Sequence, residues 1–267
     1  MGQHRVAVAN FWDKVLDRWA GGEDHLIVPL ERWIASYQGA GKGAVDLGHY
    51  PDPYVGDLRG HVHEPRMVVL GLNPGIGYDQ LQGPDGIWTA RIREQGYSGC
   101  FQRSPAQDPA SWIALHGRES AYWSALLRFT RRWLGDDHAG VDDVLGLELF
   151  PWHSAAVTAP MQPPPDLIDE YIWAPVSELN VPVVFALGAP WFKNVEALGL
   201  PLVTLFGKGG VPFAEPVNEQ ANWRVGLYEL PSGQYIIVNS QSGSGQPPGP
   251  DRTSILQATL ARLLPGL

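Results

Sequence analysis

One short polar side chain, Asn73, lies directly after an apolar run at residues 67–72. A run this apolar, bounded by the turn residues of a Gly-x-Asn-Pro-Gly sequence, predicts a buried strand of a parallel sheet. Open α/β sheets bind their ligands at the carboxyl ends of such strands. The flanking glycines, Gly71 and Gly75, would let other groups approach closely. We therefore expect an active site here, although the same sequence is also typical of a structural turn.

Other predicted strand ends carry polar or glycine-rich residues as well: the segment 148–154, Gly188, and the loop that begins at Asn239. Convergence of separate strand ends on one cleft is how α/β folds build sites. Each feature alone also has a structural interpretation. His153, for example, is compatible with a packed or capping histidine, and a Ser/Gly/Pro loop with a surface connection. Their combination in this order favours a common site.

The composition limits the class of protein. The chain has 267 residues, 44% hydrophobic and 18% charged, which predicts a globular protein. Its one cysteine, Cys100, excludes an intrachain disulfide framework and any four-cysteine metal site. We identify no signal peptide and no apolar run near the ~20 residues that span a bilayer. We therefore expect a cytoplasmic protein with no membrane partner.

The net charge is −9, from 19 basic and 28 acidic side chains. This balance argues against indiscriminate binding of polyanions, which depends on Lys and Arg. It does not exclude nucleic acid, because a local basic strip can act within an acidic protein, and Arg128, Arg131 and Arg132 form one such cluster. The sequence Lys208-Gly209-Gly210 lacks the upstream spacing of a Walker loop, which argues against a nucleotide triphosphatase.

The apolar patterns predict alternating strands and helices. Helical spacing occurs at 8–20, 24–38, 119–134, 166–179, 191–198 and 251–264, with Asp251 as the cap of the last helix. Strands are predicted at 66–72, 144–150, 181–187, 202–206, 223–230 and 234–239, with loops at 40–65 and 75–117 and a hairpin turn at 231–233. This order predicts an α/β protein, a three-layer α/β/α sandwich with a central, mostly parallel sheet. We expect one domain over 1–267, with a helical extension over about 1–60.

In combination, three segments resemble motifs of the uracil-DNA glycosylase superfamily, especially of its mismatch-specific branch. The segment 69–75 matches that branch's Gly-Ile-Asn-Pro-Gly motif, and 239–243 is similar to a degenerate Asn-Pro-Ser-Gly motif. The third is the strand that ends at Leu187-Gly188. The resemblance covers about residues 66–243 and implies the same α/β/α fold, with hydrolysis of the bond between a flipped base and its sugar.

The resemblance implies roles for residues around the turn. Asn73 would orient the attacking water, and because an asparagine cannot act as a general base the reaction should be slower than with the aspartate of the fast branch. Asp79 is a candidate local carboxylate, with an exposed loop aspartate as the alternative interpretation. His153 would donate to the leaving base or to a phosphate. The base pocket implied by the resemblance comprises Gly71, Leu72, Gly75, Tyr78, Trp88, Glu148, Phe150 and Asn239.

The room beside the base depends on Gly75. The strictly uracil-specific branch has a tyrosine near this turn that excludes bases substituted at the five-position, and a glycine here removes that wall. Trp88 is near the place where the family stacks an aromatic ring on the base, and Tyr78 is the alternative stacking residue. A role for Trp88 as a core tryptophan is equally open.

The choice of base depends on Glu148, which occupies the place where uracil-reading members have an asparagine. A glutamate accepts hydrogen bonds, and cytosine donates one from its exocyclic amino group, whereas uracil presents an acceptor there. Glu148 would thus favour a cytosine-type base, unless it is a sheet-edge or salt-bridge carboxylate.

DNA would be contacted by the loop that follows Asn239. Its Ser and Gly amides would hold phosphates, although the loop lacks the apolar wedge of the family branch. The expected DNA-binding residues are Lys208, Ser240, Gln241, Ser242, Gly243 and Gln246.

Together, these residues predict a monofunctional DNA glycosylase that excises a cytosine with a large five-position substituent, such as glucosylated hydroxymethylcytosine of phage DNA, as antiviral defence. No metal, no cofactor and no obligate protein partner are implied, and double-stranded DNA is the expected partner. Two alternatives stay open: a uracil or thymine mismatch glycosylase, and a non-catalytic binder of modified DNA or nucleotides.

Overall fold

The computed structural model describes residues 2–24, 26–101, 109–214, 222–241 and 245–264. Within these ranges the protein is α/β, with helices around a seven-stranded mixed sheet of order β1-β3-β2-β4-β7-β6-β5. The strands are β1 (Tyr54–Val55), β2 (Met67–Gly71), β3 (Val144–Glu148), β4 (Val183–Leu187), β5 (Leu202–Gly207), β6 (Arg224–Glu229) and β7 (Tyr235–Ser240).

The centre of the sheet is parallel. Strand β2 pairs in parallel with β3 on one side and β4 on the other, and β4 pairs in parallel with β7. Every residue of β2 and β4 is buried, as expected for apolar strands covered on both faces. The edges are antiparallel, since β1 pairs with β3 and the β6–β7 hairpin is followed by β5. The predicted mostly parallel sheet is confirmed.

Eleven α-helices lie within the described ranges, joined by two 3-10 turns at Gly41–Gly43 and Val141–Asp143 and a π-helical turn at Asp169–Trp173. The helices are α1 (Gln3–Ala20), α2 (Val28–Ala35), α3 (Asp79–Gln82), α4 (Ile87–Gln95), α5 (Tyr97–Phe101), α6 (Pro109–His116), α7 (Ala121–Leu134), α8 (Pro165–Ile168), α9 (Ala174–Ser177), α10 (Pro190–Ala197) and α11 (Pro250–Leu263). None of these described helices has the length and apolar character needed to cross a membrane.

Alternate residues of β2 belong to two different buried clusters. Val68 packs in a cluster with Trp12 of α1 and Trp33 of α2. Val69 packs in the other, which includes Phe129 of α7 and residues of α11. Successive side chains of a strand point to opposite faces, so each face of the sheet has its own apolar contacts.

Some predicted elements were wrong in detail. The segment 40–65 was predicted as loop, yet it contains β1, which is too short to carry a periodic signal. The loop predicted at 75–117 contains α3 to α6, each at most nine residues long. Asp251 does not cap α11, because this helix begins at Pro250 after Gly249 and Asp251 lies in its first turn.

Candidate functional site

A cleft of about 520 Å³ opens at the carboxyl ends of β2 and β3. This volume lies within the ~300–1,000 Å³ usual for small-molecule pockets. Eight residues singled out from the sequence line it: Gly71, Leu72, Asn73, Gly75, Tyr78, Trp88, Glu148 and Gln246. Others that line it were not anticipated, among them Asp52, Trp112, Tyr122 and Trp123.

Backbone hydrogen bonds join the chain after β2 to the chain after β3. The register pairs Gly71 with Glu148, so both strands end at the same level. Beyond them, the Phe150 amide donates to the Leu72 carbonyl at 2.9 Å, and the Ser154 amide donates to the Gly75 carbonyl at 3.0 Å. The turn therefore lies against the 148–154 segment, whose first residue, Glu148, lines the cleft.

Asn73 is oriented by one neighbour. Its amide nitrogen donates to the carbonyl oxygen of Ser154 at 3.0 Å and to the Ser154 hydroxyl at 2.9 Å. With both N–H groups engaged, the amide oxygen of Asn73 is the group that remains to accept a hydrogen bond in the cleft. An oxygen held in this way can orient a water molecule, but it cannot take a proton from one.

Glu148 presents its carboxyl group to the same cleft. A Cβ atom at position 71 would collide with both of its carboxyl oxygens, so glycine is needed where β2 passes it. The residue is partly accessible, but Oε2 is shielded from solvent and has no hydrogen-bond partner among the described residues. Burial, together with the nearby charge of Asp52, raises the pKa of Glu148 well above its usual range. The neutral form of this carboxyl group is therefore favoured over what an exposed glutamate would show.

A second carboxyl group in the cleft, that of Asp52, was missed from the sequence. It precedes β1, whose antiparallel pairing with β3 sets Tyr54 opposite Leu147. The Asp52 amide donates to the Pro151 carbonyl at 2.8 Å, which fixes the segment beside the end of β3. The one signal in the sequence that could have identified Asp52 is its position between two prolines and two tyrosines, in Tyr50-Pro51-Asp52-Pro53-Tyr54. Each proline has a fixed φ, which stiffens the chain on both sides of the aspartate.

Asp52 is 7% exposed, and the Tyr97 hydroxyl donates to its Oδ1 at 2.5 Å. Burial raises the pKa of Asp52 to about 6, and the hydrogen bond from Tyr97 partly opposes that rise. Within the described part of the chain, Oδ2 has no hydrogen bond. A carboxylate of this kind can accept a proton near neutral pH.

Aromatic side chains form the walls. The Tyr78 ring meets Trp112 edge-on at 5.5 Å and His116 at 4.6 Å. Tyr122 and Trp123, at the start of α7, contact each other edge-on at 5.4 Å. Trp88 is 4% exposed, and its indole N–H has no partner among the described residues. The sequence predicted a helix over 119–134 and gave no indication that α7 begins at the cleft.

Gly75 leaves space beside the turn. Its φ of +83° is in the left-handed region that favours glycine. A Cβ atom built here would meet nothing within 4 Å. The expected open wall is thus compatible with the geometry.

Two of the candidate catalytic residues lie outside the lining of the cleft. His153 is fully buried, its Nδ1 is 3.2 Å from the Gly75 carbonyl oxygen, and burial with the neighbouring His49 lowers its pKa to about 4. It is therefore a neutral histidine that supports the turn from below. The Asp79 side chain is 89% exposed, and its Oδ1 lies 3.2 Å from Nε2 of His49.

Two of the candidate base-pocket residues are core residues. Phe150 is fully buried and its ring lies 5.1 Å from those of Tyr37 and Trp152. Asn239 is also fully buried, and its Oδ1 accepts from the Trp223 indole at 2.7 Å. Neither side chain lines the cleft, because each is buried against other side chains of the core.

Among the predicted DNA-binding residues, Gln246 lines the cleft and Gln241 supports it. The Gln241 amide nitrogen donates to the carbonyl oxygens of Gln246 and Pro247, each at 3.0 Å. Ser240 ends β7. Lys208 is exposed after β5 and donates to Asn222 at 3.1 Å, outside the lining. Ser242 and Gly243 lie outside the described residues.

The residues that the structure describes include no group of three His, Cys, Asp or Glu side chains placed to hold a metal ion. Comparison of the chain with family models, with curated proteins and with solved structures found no match. The interpretation of the cleft therefore depends on its own geometry and chemistry.

Proposed function

We propose that this protein is a DNA glycosylase that hydrolyses the N-glycosidic bond of an extruded, C5-modified cytosine and leaves an abasic site. The observation that carries the proposal is Glu148, a shielded and unpartnered carboxyl group in an aromatic-walled cleft, with Asn73 at the same strand ends. An unpaired buried polar group is costly, so its retention favours a ligand that pairs with it.

The walls suit a flat heterocycle. A base in a duplex must be extruded before an enzyme can act on it, and the loss of stacking has to be compensated in the pocket. Tyr78, Trp88 and Trp123 line the cleft. Stacking of a base on an aromatic side chain contributes about 1–3 kcal/mol, which is similar to the unstacking cost.

Glu148 matches the Watson–Crick edge of cytosine. A neutral carboxylic acid donates from its O–H and accepts at its carbonyl oxygen. Cytosine offers the complementary pair, an acceptor at N3 and a donor at the N4 amino group. Uracil can form two hydrogen bonds with the same acid, but its N3 already carries a hydrogen. Only cytosine can take the proton at N3, so the expected selectivity over uracil lies in the reaction rather than in binding.

The proposed reaction uses water as the nucleophile. The Asn73 amide oxygen orients the water, whose oxygen forms a bond with C1′ of the deoxyribose as the bond from C1′ to N1 breaks. The electron pair of that bond leaves with the base, which Glu148 has protonated at N3, so the base departs as a neutral tautomer. Asp52 takes the proton of the water. The two carboxyl groups return to their starting forms by exchange with solvent.

The five-position of the base would face the open side at Gly75, where a substituent meets no side chain. Such cytosines occur in phage DNA, and we propose an antiviral role in the cytoplasm on that basis. The proposed fold is the three-layer sandwich of the uracil-DNA glycosylase superfamily. The parallel arrangement of β3, β2, β4 and β7 supports it, as does the Gly-Leu-Asn-Pro-Gly turn at the end of β2.

The test is a panel of duplex oligonucleotides with cytosine, hydroxymethylcytosine, glucosylated hydroxymethylcytosine, uracil or a thymine mismatch at one position. Alkali-labile abasic sites are then measured. We expect cleavage of the C5-modified cytosines. Cleavage of uracil alone would refute the role of Glu148 in base choice, and intact strands throughout would refute the enzymatic proposal.

Glu148→Gln is the matching variant, because its amide can donate and accept but cannot deliver a proton. We expect it to bind modified DNA and to lose turnover by about 100- to 10,000-fold, the usual contribution of general acid catalysis. Glu229→Gln, an exposed change on β6, is the control. Equal loss in both variants would argue against a specific role for Glu148.

A further inference from the structure

A second groove, of about 500 Å³, lies between α7 and the start of α11. Arg128, Arg131 and Arg132 line one side of it, and the segment Pro247–Pro250 lines the other. The arginines are three and four positions apart on α7, which places them on one face of the helix. All three are exposed.

These arginines retain most of their hydrogen-bonding capacity. Arg131 donates from Nε to the Ala139 carbonyl at 2.9 Å, and Arg132 donates to the Ser254 hydroxyl at 3.4 Å. Arg128 has no hydrogen bond within the described ranges. No carboxylate of the described chain forms an ion pair with any of the three, although Asp137 also lines the groove.

The groove adjoins the cleft. Gly245 and Gln246 line the cleft, and the next residues of the chain, Pro247 to Pro250, line the groove. Arg252 and Gln241 hold this segment in place, since the Arg252 guanidinium donates to Gln241, whose amide donates to the carbonyl oxygens of Gln246 and Pro247. A strand whose nucleotide occupies the cleft would therefore pass next along the arginines.

We propose that this groove binds the phosphodiester backbone of the DNA strand that carries the extruded nucleotide. That the ligand is this DNA strand rests on the proposed function. That the groove binds phosphate groups rests on its three arginines. Guanidinium groups form paired hydrogen bonds with phosphate oxygens, and a concentrated positive patch is needed in a protein whose net charge is −9.

The salt dependence of DNA binding tests this proposal. The dissociation constant of a fluorescently labelled, unmodified duplex is measured by anisotropy at several NaCl concentrations. The variants are Arg128→Gln and the triple variant Arg128→Gln/Arg131→Gln/Arg132→Gln. The control is Arg262→Gln, an exposed arginine in the last turn of α11, at the other end of that helix from the groove.

We expect the slope of log K against log salt to fall by about 0.9 for each phosphate that the protein no longer neutralises, hence by up to about 3 in the triple variant. The single Arg128 variant should show about one third of that decrease, and the control should match the wild type. Arg128 makes no intramolecular hydrogen bond within the described ranges, so we expect Arg128→Gln to fold as the wild type does. A change in its slope then reports on DNA binding and not on folding. Unchanged slopes in the single and triple variants would overturn the proposal.

The outcome is separable from that of the glycosylase proposal. If no base is excised but the slopes fall as expected, the groove binds nucleic acid and the catalytic proposal alone fails. If modified cytosine is excised and the slopes do not change, the strand takes another path and the groove proposal fails. For an active enzyme, we also expect the triple variant to raise KM while leaving kcat unchanged, because the arginines bind substrate and transition state equally.

Discussion

Substitution of Asp52 by asparagine separates the stability of this protein from its proposed catalysis. Asp52 is buried against Tyr97, and burial raises its pKa from 3.8 to about 6. This rise of roughly two pH units corresponds to about 3 kcal/mol of unfavourable free energy for the ionised form in the folded state. An asparagine is nearly the same shape and keeps an oxygen that can accept from the Tyr97 hydroxyl, but it carries no charge.

The sign of the pH effect follows from the direction of the shift. The folded state holds the proton of Asp52 more tightly than the unfolded chain, so the stabilising effect of that proton is present below pH 4. It is lost as the pH rises from about 4 through about 6. By pH 8 the wild type should have lost up to about 3 kcal/mol that Asp52→Asn retains. The difference between the two proteins cancels the titration of neighbouring groups that both contain, fully for His153 and in part for Glu148.

The same substitution, Asp52→Asn, should lower the activity although it raises the stability at high pH. An asparagine cannot accept the proton of the attacking water, so the single-turnover rate should fall by about 100- to 10,000-fold. In the wild type, the rate should increase with pH with a midpoint near 6, the pKa of Asp52, and decrease again where Glu148 loses its proton. The variant should lack the rising limb.

Two measurements check this prediction: chemical denaturation at pH 5 and pH 8, and formation of abasic sites under single-turnover conditions across the same range. Asp85→Asn, an exposed change in the chain between α3 and α4, is the matched control and should affect neither. Wild-type activity in Asp52→Asn would refute the role of Asp52 as the base. A stability difference that does not grow with pH would refute the assignment of a buried charge.

Further variants test the remaining parts of the site. Asn73→Ala should reduce turnover by about 100- to 1,000-fold, the usual cost of losing a positioned hydrogen-bonding group, while the folded structure is retained. Ser154→Ala, which removes one of the two hydrogen bonds that the Asn73 amide donates, should give a smaller loss, and a loss equal to that of Asn73→Ala would show that Ser154 has a separate role. Gly75→Tyr should reduce activity on glucosylated bases more than on unsubstituted ones. Because φ is +83° here, Gly75→Ala is the control for the backbone strain, and equal losses in both variants on every base would refute the open-wall hypothesis.

Several features of the fold were predictable because they depend on local pattern. The apolar run before Asn73 has the composition of a doubly covered strand, and the structure buries every residue of β2. The hairpin of β6 and β7 was predictable from the turn residues between two apolar segments, and the structure pairs the two strands antiparallel. Short helices and β1 were missed because a few residues carry no measurable period.

The sequence by itself indicated that Asn73 and Glu148 lie at the same edge of the sheet, because parallel strands present their carboxyl ends there, and the structure makes their two strands direct neighbours. Only the tertiary structure decided which other residues face that edge. The pairing of β1 with β3 brings Asp52 to the cleft across more than ninety positions of sequence, while the packing of the layers below turns His153 and Asn239 inward. It also raised the pKa of Glu148, since the pKa of a carboxyl group depends on the burial and the charges that distant segments provide.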